Sequence, residues 1–133
     1  MRISAMISAC ALIALPNLAL ADPTGTYNVT GHNAGGGTYE GTVEVSRTGA
    51  TYKVIWTIAG KNTIGTGLGS HFENGNTIIT GPATDNDSAL SVGYVSKDSF
   101  GIAQYYLQQD GSWSGVWTYG GSKDVATETW TKQ

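Results

Sequence analysis

An all-β fold, an antiparallel up-and-down barrel of eight or nine strands, is predicted by three observations. The first is composition. Beyond position 21 the chain carries all nineteen of its glycines, seventeen threonines and all thirteen Phe, Trp and Tyr residues, with only three leucines. β-branched and aromatic residues suit strands; a helical protein would carry more leucine and less glycine. The second is rhythm: segments of five to nine residues alternate with turn signals at close, regular spacing, the pattern of a sandwich or barrel. The third is that every connection reads as short, so sequence neighbours should be antiparallel neighbours in space. Closure into a barrel removes the edges that a threonine-rich sheet would expose to aggregation. A β-sandwich is the alternative, and the pattern alone does not separate the two.

Strands are expected at 25–31, 38–46, 51–59, 62–68, 76–81, 88–95, 100–108, 112–119 and 124–132. In the second, Tyr39, Gly41, Val43 and Val45 share one face and Glu40, Thr42, Glu44 and Ser46 the other. "RTGA" then places Gly49 where a positive φ is needed. In the third, Tyr52, Val54, Trp56 and Ile58 form the apolar face, with Ile55 opposite. Asn74-Gly75 and Asp110-Gly111 are hairpin signals, and "GGSK" at 120–123 makes the last tight connection. The strands at 88–95 and 100–108 are apolar on both faces, so adjacent Tyr105 and Tyr106 point in opposite directions. Gln104, Tyr106 and Gln108 share the face carrying two glutamines, which is the outer one on this register, and they form the expected partner-binding surface. In the eighth strand Trp113, Gly115, Trp117 and Tyr119 alternate with Ser112, Ser114 and Thr118.

The pattern G-[ST]-[YW]-x-G occurs twice, in "GGTYEG" and "GSWSG". A glycine turn enters a strand, the aromatic caps the barrel end, and the next glycine lets the chain bend beneath it. On the functional reading Tyr39, Trp56, Trp113 and Trp117 line the mouth of a ligand pocket. An eight-stranded barrel is wide enough to be filled by side chains or to hold one small ligand.

The first residues read as a secretory signal peptide, residues 1–21. Arg2 precedes an uncharged run rich in Ala, Ile and Leu, and "ALAD" supplies an A-x-A cleavage site. Cys10, in "ISAC", lies too early for a lipid anchor. The expected mature protein is a single barrel domain, 22–133, free of cysteine, exported to the periplasm or beyond the cell, and held together by its core without disulfides. Removing Arg2 leaves six basic against ten acidic side chains, a formal net charge of −4 with no basic run. That argues against nucleic acid, anionic membranes and membrane insertion.

The stretches "GTYNVTGHNAGGGTYEGTVEV", "TYKVIWTIAG", "GIAQYY", "DGSWSGVWTYGG" and "ATETWT" together resemble small exported proteins of alphaproteobacteria, rhizobia above all, often labelled hypothetical or fibronectin-binding. The resemblance spans Gly25 to Thr131. It implies an exported β protein with a protein partner, a host matrix protein such as fibronectin among the candidates. Residues 71–88 look like an expansion relative to that pattern. Its cysteine pair, near the third and fourth strands, is absent here. The layout is also similar to the calycin group of avidins and lipocalins, through the "GTY" opening and the late "TETW" strand, though no biotin-contacting residue can be matched.

Catalytic and metal chemistry find little support. His32 and His71 each lie by an expected turn, without the spacing of a metal pair, and are read as solvated turn residues. No G-x-S-x-G elbow occurs. Asp85, Asp87 and Ser88 lack the glycine and distal glutamate of a calcium loop and read as a polar loop. "GTGLGS" is followed by no helix that could hold a phosphate. "NVT" and "NDS" match glycosylation acceptors. The expected function is therefore a non-enzymatic binding protein without cofactor or metal, taking a small apolar ligand or a protein partner, a second copy of the chain included. A periplasmic inhibitor or structural envelope protein with a filled barrel is the alternative.

Overall fold

The computed structural model describes residues 20–133; the expected signal segment lies, but for its last two residues, outside them. Among the described residues there are nine strands and no helix: β1 (Gly25–His32), β2 (Thr38–Thr48), β3 (Thr51–Ile58), β4 (Lys61–Glu73), β5 (Thr77–Gly81), β6 (Ala89–Ser96), β7 (Ser99–Leu107), β8 (Trp113–Tyr119) and β9 (Ala126–Lys132). All pair antiparallel in one sheet, ordered β3-β2-β1-β9-β8-β7-β6-β4-β5, and β3 also pairs with β4. That last pairing closes eight strands into an up-and-down barrel. The sandwich alternative is excluded, since a single sheet curls back on itself.

β5 is the extra strand. β4 is longer than the sequence suggested, and one of its edges is shared. Residues 61–67 pair with β3, and beyond the end of β3 residues 69–73 pair with β5. The β4–β5 hairpin turns at Asn74 and Gly75, both at positive φ, as the Asn-Gly signal requires.

The expectation that only short hairpin connections join the strands fails once. β5 and β6 flank β4 on opposite edges, so residues 82–88 must cross the barrel end. Asp87 anchors this crossing and is 1% exposed. It accepts from Tyr52 Oη at 2.6 Å, Thr84 N at 2.9 Å and Thr84 Oγ1 at 3.1 Å. Ser88 N and Leu107 N continue the tie to the walls. The chain entering β1 closes the same end: Pro23 is buried and its carbonyl accepts from Tyr27 Oη at 2.7 Å.

The core follows the period-2 alternation of the strands. Tyr27, Val29, Val43, Val45, Tyr52, Val54, Trp56, Leu90, Val92, Tyr94, Ala103, Tyr105, Trp113 and Trp130 fill the interior. Trp130 is its hub, with ring centroids 3.9 Å from Tyr105, 5.7 Å from Tyr27 and 6.1 Å from Trp56. Truncating so buried an indole costs about 3–5 kcal/mol.

The glycine–aromatic pattern has a different basis from the one expected. In the first copy the Tyr39 ring lies over Gly31, opposite it in the neighbouring strand, while Gly41 makes room for Ile58; in the second copy Trp113 stands opposite Leu107 and Trp130, and it is other rings that repeat the Tyr39 arrangement. A Cβ on Gly31 would overlap the Tyr39 ring, on Gly101 the Tyr94 ring, and on Gly115 the Tyr105 ring. In each case the two are register partners. Directly opposed residues are closer than same-strand i, i+2 neighbours, so the missing side chain makes room for the ring across the ladder.

Candidate functional site

Away from the Asp87 crossing, the barrel end carrying the β1–β2, β3–β4, β6–β7 and β8–β9 turns opens into a cavity of about 340 Å³. Its deep wall is Trp56, Tyr94, Tyr105 and Glu128; Tyr39 and Trp117 stand half-buried above; Asn33, Lys61, Ser96 and Tyr119 ring the mouth.

The aromatic rings of this wall form a chain of edge-to-face contacts. Trp56 meets Tyr94 at 5.7 Å between centroids, Tyr94 meets Tyr119 at 5.8 Å, Tyr119 meets Trp117 at 5.4 Å, and Trp117 meets Tyr39 at 6.4 Å. Such geometry sets the positive edge of one ring on the negative face of the next.

Glu128 joins the two ends of this chain. Its Oε2 accepts from Tyr39 Oη at 2.5 Å; its Oε1 accepts from Trp56 Nε1 at 2.9 Å, Tyr105 Oη at 3.0 Å and Trp130 Nε1 at 2.5 Å. Trp117 Nε1 donates to Tyr39 Oη at 2.8 Å, extending the network by one member. Glu128 is 5% exposed, and among the described residues no Lys, Arg or His pairs with it. Burial, reinforced by the Glu128 charge, drives the Tyr39 and Tyr105 phenols far above the ordinary tyrosine range. Both therefore remain O–H donors at any physiological pH.

Of the four residues expected at the pocket mouth, Tyr39, Trp56 and Trp117 are brought together in the wall. Trp113 is not. It lies near the plugged end, 1% exposed and paired across the ladder with Trp130, and is a core residue. The sequence reading missed Tyr94, Tyr119 and above all Glu128. The signal was present: Glu128 has the same strand parity as Ala126 and Trp130, so it had to point where they point.

On the outside, Tyr106 is 55% exposed and Tyr105 1%, the orientation expected. Gln104 and Tyr106 border a surface groove with Phe72, Ile78 and Leu107. Gln108 lies just past β7, its Nε2 donating to Tyr106 O. His32 is exposed at the end of β1. His71 is not the solvated turn residue expected: it sits within β4, its side chain 12% exposed, with Nδ1 3.2 Å from Asp87 and Nε2 3.3 Å from Glu73. The extension of β4 past residue 68 carried it out of the turn and onto the crossing segment.

No family model matches the chain, and no curated protein matches its sequence. Among solved structures it is similar to one titled as a redesigned β-barrel, with 18% identity, a TM-score of 0.58, and coverage of 83% of this chain and 90% of that one. That likeness concerns the fold: both are antiparallel β-barrels.

Proposed function

We propose that the protein is a non-enzymatic binding module of the bacterial envelope that holds a small organic ligand in the open end of its barrel. The observation that carries this reading is the cavity of about 340 Å³ walled by Tyr39, Trp56, Tyr94 and Trp117. Its size falls within the range of small-molecule sites, and its lining of rings with a few polar groups is their usual make-up. The same cavity weighs against a filled barrel acting as an inhibitor or structural element. Export rests on the N-terminal sequence. Kinship with the exported alphaproteobacterial proteins, and a host matrix partner such as fibronectin, rest on the quoted motifs. Native mass spectrometry of protein purified from its own host tests the ligand reading. A retained small molecule, lost in a Trp117→Ala variant, is the expected result; a bare protein whose indole fluorescence no small molecule alters would overturn it.

A second reading concerns the barrel exterior. Ile64, Val95, Phe100, Ile102, Tyr106 and Val116 are exposed, and register places them as neighbours across β4, β6, β7 and β8. The outward positions of β6 and β7 carry no charge, so two copies of an acidic chain could approach there without like charges meeting. The occupant of this face is then a second copy, and sedimentation across a concentration series tests it.

A further inference from the structure

Given a ligand in the barrel mouth, the wall chemistry says more about what that ligand is. We propose that the cavity is a site for organic cations, an ammonium head group seated among the rings of Tyr39, Tyr94, Trp117 and Tyr119 above the Glu128 carboxylate. The inference rests on the ligand-binding reading and goes beyond it by assigning the charge.

Three observations set the sign. Glu128 is a buried carboxylate that lines the cavity and has no cationic partner among the described residues. Removing a charge from water costs several kcal/mol unless hydrogen bonds and an opposite charge offset it. The hydrogen bonds are there; the opposite charge is not. Second, the donors of the inner wall are committed. Tyr39, Trp56 and Tyr105 give theirs to Glu128, Trp117 to Tyr39, and Tyr94 to Thr118 O at 2.9 Å. An anion or an acceptor-rich ligand would meet a like charge and no free inner donor. Third, the wall presents π faces and edges in an unbroken chain. Ring faces attract cations, most strongly when water is excluded.

A neutral apolar ligand fits the rings but not the carboxylate. It would cover the cavity side of Glu128 and leave the charge with its four hydrogen bonds but no opposite charge. An ammonium group supplies that opposite charge. Oε2 takes one donor where Oε1 takes three, so the carboxylate keeps unused acceptor capacity toward a cation. Lys61 at the mouth is exposed and opposes the cation from a distance, which tunes affinity without occupying the site.

The test compares three probes of nearly one shape on the unaltered protein by calorimetry and tryptophan quenching: choline, its neutral isostere 3,3-dimethylbutan-1-ol, and the anion 3,3-dimethylbutanoate. Choline is expected to bind about tenfold or more tightly than the neutral alcohol, the scale of a desolvated cation–π contact, and the carboxylate not at all. Glu128→Gln should remove most of that preference. Should that variant misfold, Lys61→Gln is independent of the buried network and should tighten choline binding by about twofold or more. If the alcohol binds as tightly as choline, the ligand reading stands and the cation assignment is overturned. If none of the three binds, the cation assignment is again overturned, and mass spectrometry of the host-purified protein decides the ligand reading on its own.

Discussion

The phenol of Tyr39 meets the carboxylate of Glu128 at 2.5 Å, across 89 residues of chain. One lies at the start of β2 and the other on β9, with β1 between them. The contact runs along the inner wall over Gly31, the Tyr105 contact reaches the same group from the other side over Gly115, and Trp56 adds a third donor. Glu128 thus ties β2, β3, β7 and β9 at one level of the barrel, just above Trp130.

Glu128→Leu is therefore expected to destabilise the fold by about 3–5 kcal/mol. It strands three buried donors and the half-buried Tyr39 hydroxyl, each buried one costing about 1–3 kcal/mol when left unsatisfied, less what relaxation recovers. Glu128→Gln, which keeps one acceptor oxygen, should lose less. Urea denaturation of the three proteins, with m-values compared to confirm a common unfolded state, checks both the size and the order. Equal stability of wild type and Glu128→Leu would mean that the network contributes nothing net.

The plugged end predicts a pH profile. Burial works to raise the Asp87 carboxyl, but its bonds from Tyr52, Thr84 and His71 outweigh burial and hold it below the ordinary value of 3.8. A depressed carboxyl contributes stability that is present above its unfolded value and lost as pH falls through the folded one. His71 moves the other way. Its bond to Glu73 raises it above 6.5, burial opposes, and Asp87 adds to the rise. That contribution is complete below the unfolded value and lost as pH climbs through the folded one. Stability should peak between about pH 4 and pH 6.5. Thermal melts across that range and beyond should show both limbs, and His71→Gln should flatten the alkaline limb far more than the acid one.

The ring-over-glycine pairs make a sharp contrast within one residue type. A Cβ on Gly115 would overlap Gln104 O and the Tyr105 ring, whereas one on Gly93 meets nothing within 4 Å. Gly115→Ala should cost at least about 1–3 kcal/mol as overpacking against backbone. Gly93→Ala should be neutral or stabilising by up to about 1 kcal/mol, because it restricts the unfolded chain. Paired denaturation curves decide it. A Gly115→Ala protein as stable as wild type would show that the ladder can open to admit a methyl group.

Tyr105 and Tyr106 are adjacent and should behave as opposites. Tyr105→Ser removes a ring stacked 3.9 Å from Trp130 and a donor to Glu128, and should lower the melting temperature steeply. Tyr106→Ser should leave melting almost unchanged and weaken self-association by about 1–2 kcal/mol, the scale of an aromatic anchor at an interface. Sedimentation separates the two effects; a strictly monomeric wild type would remove the self-association reading.

Much of the fold was legible because strand alternation and turn chemistry agree along most of the chain. β4 is where they diverge. Its inward positions are Gly65, Gly67 and Gly69, while Ile64 and Leu68 face solvent. The usual period is inverted there, since Tyr52, Trp56 and neighbouring side chains occupy the space those glycines leave. With its apolar residues outside, the strand offered no cue to its length, nor to the crossing that follows β5. The site was half legible for a related reason. Alternation assigns a residue to the inside or the outside, but not to one end of the barrel or the other. Trp113 and Trp117 have the same parity, yet four residues separate them, about 13 Å along a strand at about 3.3 Å per residue. One therefore faces the plug and the other the mouth. Glu128 was passed over because a charge on an inward position makes sense only once its four donors, drawn from distant strands, are in place.

The pairing of β1 with β9 sets when the fold can close. The seam of the barrel is written by the first and last strands, in register from Tyr27–Lys132 to His32–Thr127, and Gln133 N bonds Thr26 O beside it. Until β9 joins, β1 and β8 are both open edges, and Glu128 and Trp130 are missing from the interior. The barrel therefore closes only when strands far apart in the sequence meet. Long-range pairing of this kind makes folding slow.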